Sequence, residues 1–185
     1  MRMDAADMLG ARPQLFASLP AAARDGDEIY YLADSVNGII WHLRYRESTS
    51  GYRWELIDGG YLYSAVEATQ TIGAAPGWFD LTTAGPDVTL PLAGDYDIDF
   101  GCQVIPAQNQ SSALMGIAYG AAWSTSLAST NMQVNVATGT IVSVARSVRF
   151  TGAVAAALLR ARYYSAGGAH QWGGRYLRVR PVRVG

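Results

Sequence analysis

The sequence has no lysine, a single cysteine, two histidines and no acidic residue after position 99. Each absence excludes something. Cys102 alone rules out a disulfide framework within the chain and a zinc site built on cysteines, and nothing demands an oxidising compartment. His42 and His170 lack the spacing of a metal pair, and no nucleophile elbow, phosphate loop or dinucleotide fingerprint occurs, so no catalytic residue, metal ligand or cofactor is assigned and a non-enzymatic protein is expected. A glycan-cleaving site would need two close carboxylates, and residues 100–185 hold none, so both would have to come from the first half. No apolar stretch reaches the roughly 20 residues of a membrane span, and Arg2 is not followed by an apolar run of signal-peptide length. The expectation is no membrane insertion and no classical export.

Charge is scarce and unevenly placed. Charged residues make up 16% of the 185 positions, below the roughly 25% of ordinary soluble domains. All fifteen acids and six arginines lie in residues 1–99, a net of −9, whereas residues 100–185 carry eight arginines, a net of +8. With every basic residue an arginine, two readings stand: a GC-rich coding bias, or selection of the rigid guanidinium fork for bidentate ion pairing at subunit contacts.

Half of the residues are hydrophobic, and 20 glycines, 11 tyrosines and 5 tryptophans favour strands and turns. Residues 1–24, with Pro13 and Pro20, form an N-terminal docking arm in this reading. From Asp25 the pattern is β: EIYYLAD (28–34), VNGIIWHLRYRE (36–47) and GYRWELIDGG (51–60) make a small three-stranded meander over 25–60, with Asn37-Gly38 and Ser48 to Gly51 as turns. In its second strand Ile39, Trp41, Leu43 and Tyr45 share the face expected to be buried, opposite Ile40, His42, Arg44 and Arg46. Residues 61–185 carry further short strands, at 62–72, 77–83, 87–91, 94–105, 112–121, 131–137, 140–150, 156–165 and 174–184, the spacing of an antiparallel jelly roll or β-sandwich. AVAAALLRARYY is read as a strand from the alternation of Leu159, Ala161 and Tyr163 with Arg160, Arg162 and Tyr164, with a short helix as the alternative its alanines suggest.

Asp95, Asp97 and Asp99 in GDYDIDFG look like a calcium loop, yet the sixth and twelfth positions are Phe100 and Pro106 where that loop needs Gly and Glu. A strand explains them better, with Tyr96, Ile98 and Phe100 inward and three carboxylates outward. Such a row needs cations opposite it. Arg160 with Arg162, and Arg178 with Arg180, are the candidates, within or between subunits. Nucleic-acid binding by this arginine and tyrosine stripe is not expected, because the acidic half would repel a polyanion. Trp123, His170 and Trp172, in turn-like segments, are the candidate ligand-facing aromatics for a host glycan or protein.

Two stretches resemble a known family. LPAAARDGDEIYYLADSVNGIIWHLRYRESTSGYRWELIDGG resembles N-terminal modules of structural proteins from tailed bacteriophages. GPDVTLPLAGDYDIDFGCQV and LLRARYYSAGGAHQWGGRYLRVRPVRV are similar to the phage form of the jelly-roll head shared in outline with C1q and tumour-necrosis-factor-like trimers. The resemblance implies a virion protein assembled in the host cytoplasm, a homotrimer docked on major capsid or tail protein through its N-terminal part, with the head outward. Having no heptad-rich shaft, the chain fits a capsid decoration, head-fibre or compact tail component; a host receptor-binding protein is the alternative.

Overall fold

The computed structural model describes residues 14–71, 76–106, 112–120 and 138–185, and the backbone of 126–129. Residues 1–13, Trp123 and the 131–137 strand expectation lie outside the described residues. Everything described is strand, turn or extended chain, so the all-β antiparallel sandwich expected from the sequence is what forms. No helix long and apolar enough to cross a membrane occurs among the described residues.

Among the described residues fourteen strands run β1 (Leu15–Phe16), β2 (Glu28–Asp34), β3 (Ile39–Tyr45), β4 (Trp54–Gly59), β5 (Leu62–Val66), β6 (Gln70–Thr71), β7 (Gly77–Phe79), β8 (Asp87–Thr89), β9 (Gly94–Ile105), β10 (Ala113–Tyr119), β11 (Ser126–Ser129), β12 (Val142–Ala153), β13 (Leu158–Ser165) and β14 (Gln171–Val184). The larger sheet is ordered β1-β2-β3-β4-β14-β9-β12, with β5 and β6 also on β14; the smaller is β11-β10-β13-β7, with β8 on β13. The meander forms as expected, and its last strand pairs with β14 at Glu55↔Arg183 and Trp54↔Val184, so it continues the large sheet. Of the arm, Leu15 and Phe16 lie parallel to Tyr30 and Tyr31 at the edge of that sheet.

Alternation decides what is buried. Trp41 and Leu43 are fully buried while Ile40 faces out. Along β9 the even residues Tyr96, Ile98, Phe100, Cys102 and Val104 are buried, and Asp95, Asp97, Asp99 and Gln103 are not. They meet Ala113, Met115 and Ile117 of β10 and Leu159, Ala161 and Tyr163 of β13 in one core cluster with the meander's Ile29, Tyr31 and Trp54. In the alanine-rich window Ala153 ends β12 and β13 begins at Leu158; Val154–Ala157 between them is a turn tied down by Ala156 N–H to Leu90 O and Leu90 N–H to Ala157 O. Tertiary pairing with Leu90 overrides the helical preference of alanine.

One glycine is required by a close approach. A side chain on Gly101 would stand 2.5 Å from Val144 O and 2.8 Å from the Tyr176 ring, so glycine lets that ring approach the backbone of β9 closely.

Candidate functional site

The central element is the outer face of the large sheet, where the carboxylates of β9 stand between the arginines of β12 and β14. The register puts Asp97 opposite both Arg149 and Arg180, and Asp99 opposite Arg178. Arg149 grips Asp97 with two N–H donors, at 2.9 and 3.2 Å, and Arg180 Nη2 stands 3.8 Å from the same carboxylate. Asp95 accepts the Gly152 backbone N–H at 3.0 Å. Arg178 lies over Tyr63 and Tyr176, 5.5 and 5.4 Å from the ring centroids, and Arg180 lies 5.3 Å from that of Tyr61. Asp97 is thus paired within the chain. A shallow depression of about 580 Å³ opens beside Asp97, Asp99, Arg149 and Arg180.

On the smaller sheet the arginines of β13 also find acids of the first half. Arg160 reaches Asp87 at 3.2 Å. Arg162, 5% exposed, stands 3.5 Å from Asp80, and burial lowers its pKa below the ordinary guanidinium value. It is buried although it shares the face of Arg160, so the expected pair of surface guanidiniums on β13 reduces to Arg160.

His170 and Trp172 require a correction. Both are 0% exposed, so neither faces a ligand. The GGAHQWGG stretch is not a turn throughout: β14 begins at Gln171, and Gly173 and Gly174 sit in a register shift inside the strand. That places Trp172 between Val104 and Gln70, edge-on to Tyr163 and His170. Burial lowers the His170 pKa and favours its neutral form.

Three features escaped the sequence reading. Arg175 is fully buried, with Nη1 donating to Thr83 O and Gly85 O at 3.2 and 3.3 Å, Nη2 to Ala68 O at 3.3 Å, and its guanidinium 5.5 Å from the Tyr163 ring centroid. Parity was the available signal, since Arg175 shares the face of Leu177 and Val179 whereas Arg178 and Arg180 lie on the other. The second is a cluster on the meander, where Glu28 accepts from Arg44 Nε at 2.8 Å and meets His42 Nε2 at 2.9 Å. The Arg44 hydrogen bond leads in holding the Glu28 carboxyl below its usual range. The third is Tyr63, 53% exposed, which borders a groove of about 530 Å³ between the β2–β3 turn, β5 and β8. No group of three or more potential metal ligands occurs among the described residues.

No family model matches the chain, and no curated protein does. Among solved structures it is similar to a carbohydrate-binding module (CBM6cm-2) from Cellvibrio mixtus lichenase 5A in complex with cellotriose, at 15% identity over 63% of this chain and 86% of that one, with a TM-score of 0.35. It is also similar to infectious bursal disease virus Gt strain, at 10% identity over 86% of this chain and 46% of that one, TM-score 0.42, and to that virus's VP2 subviral particle, at 9% identity, 77% and 42%, TM-score 0.38. The chain thus spans under half of either viral chain.

Proposed function

We propose that the chain is a non-enzymatic structural protein on the exterior of a tailed-phage virion, docked through its N-terminal part and displaying its β-sandwich as a trimer. The observation that carries the docking side is the outer face of the meander. Leu15, Tyr30 and Ile40 point outward from β1, β2 and β3, at 53%, 37% and 40% exposure, and the pairings Leu15↔Tyr30 and Tyr30↔His42 place them on one surface. Ile57, exposed at the β4 irregularity opposite His42 and Leu43, adjoins them. Exposed apolar groups gathered on one face, edged by the Glu28, His42 and Arg44 charges, favour contact with another protein. The sequence resemblance to phage modules, which spans this meander, supplies the kind of partner: a capsid or tail protein.

Incorporation into particles tests the reading. The wild-type chain should co-purify with virions and cross-link as a trimer. A Tyr30→Ser, Ile40→Ser double variant that melts normally should be missing from them. A chain that is monomeric and absent from purified particles overturns the proposal.

A further inference from the structure

We propose that the groove beside Tyr63 binds a short neutral oligosaccharide. This goes beyond the assembly reading and does not depend on it. At about 530 Å³ the groove falls within the roughly 300–1,000 Å³ typical of small-ligand sites. Its lining joins an exposed aromatic ring, Tyr63, to short polar side chains: Asp34, Asn37, Ser64, Asp87 and Thr89. An aromatic ring offers a flat apolar surface for the C–H face of a pyranose, while carboxylate, amide and hydroxyl groups in fixed positions match its hydroxyls.

The polar wall is pre-arranged. Asp34 accepts the backbone N–H groups of Val36 and Asn37 at 2.9 and 3.1 Å, and the Asn37 side-chain amide at 2.7 Å. That amide leads in lowering the Asp34 pKa. Across the groove, Ser64 Oγ accepts the Asp87 backbone N–H at 3.2 Å, fastening β5 to β8. Tyr63 is itself steadied by the Arg178 guanidinium against its ring. Fixing these groups before binding limits the ordering cost of engaging a flexible sugar.

Charge selects the class of sugar. Asp34 and Asp87 line the groove and, among the described residues, no basic residue does; Arg160 is paired with Asp87 and Arg178 lies against the Tyr63 ring. A uronate or sialate would meet two carboxylates, so the ligand is a neutral saccharide.

The full-length chain is to be assayed on immobilised trisaccharides of gluco, galacto and manno configuration, and on uronate- and sialate-bearing equivalents, followed by calorimetry with the strongest binder. At least one neutral trisaccharide should bind, more tightly than the acidic ones. Tyr63→Ala should weaken binding by about tenfold or more and Asn37→Ala by severalfold, whereas Tyr63→Phe, which keeps the ring, should bind within about threefold of wild type. Trp78→Ala, which removes an aromatic exposed on the other sheet, should change nothing. Melting curves establish that each variant is folded, and Asn37→Ala with Tyr63→Phe decides the case if Tyr63→Ala does not fold. Absence of neutral-sugar binding at millimolar concentration, preference for acidic sugars, or folded Tyr63→Ala and Asn37→Ala variants that bind like wild type overturns the proposal.

Discussion

At the scale of single residues, the most consequential side chain is Arg175, a buried cation held by three backbone carbonyls and an aromatic ring. Arg175→Ala removes all of those donors and leaves a void. The expected loss is about 3 kcal/mol of folding stability, read from urea midpoints at unchanged slope. Cys102 behaves oppositely: burial pushes its thiol up to about 12, with the Arg175 charge only partly offsetting this. The thiolate is the reactive form, so the native protein should resist a thiol reagent at pH 8 and react fully once denatured. Fast labelling of the folded chain would contradict that burial.

At the scale of elements, the meander's Glu28–His42–Arg44 cluster ties β2 to β3 by charge on the face opposite Trp41 and Leu43. Its pH dependence follows from the lowered Glu28 pKa. A carboxyl whose folded value lies below the unfolded one stabilises the protein fully above the ordinary value of 4.5, and loses that contribution as pH falls through the folded value. The groups facing it are Arg44, His42 and, with its ring tilted against that of His42, Tyr30. Glu28→Gln should therefore lower stability near neutral pH and flatten its decline below pH 4.5, measured by urea unfolding across the acid range. A variant with the wild-type slope would show that this carboxyl does not contribute to the acid loss.

At the scale of the whole molecule, the charge split becomes a matter of topology. β9 carries the last acids of the chain and is inserted between β12 and β14, both rich in arginine, and Asp80 and Asp87 of the first half meet Arg162 and Arg160 of β13. These contacts lie within one chain, and most are partly exposed. Exposed pairs contribute about 0–1 kcal/mol each and are screened by salt. Raising sodium chloride to 1 M should cost the fold about 1–2 kcal/mol in chemical denaturation while the mass seen by light scattering stays constant. A change in oligomer mass at constant folding stability would show that the arginines act mainly between subunits.

Much of this architecture was legible in the sequence because a strand's side chains alternate between faces: the inward set Trp41 and Leu43, the outward set Asp95, Asp97 and Asp99, and most strand positions follow from local pattern alone. The same rule, applied to RYLRVR, would have placed Arg175 inside and Arg178 and Arg180 outside. The sequence could not decide what depends on residues far apart in the chain. Trp172 and His170 are buried because two glycines form an irregularity within β14 instead of ending it, so a stretch that looks like a surface loop enters the core. The groove at Tyr63 joins a turn near residue 35, a strand near 63 and a strand near 88, and only the packing of the meander beside the sandwich brings them together. Local alternation determined which side chains face in or out; long-range pairing decided which of them meet.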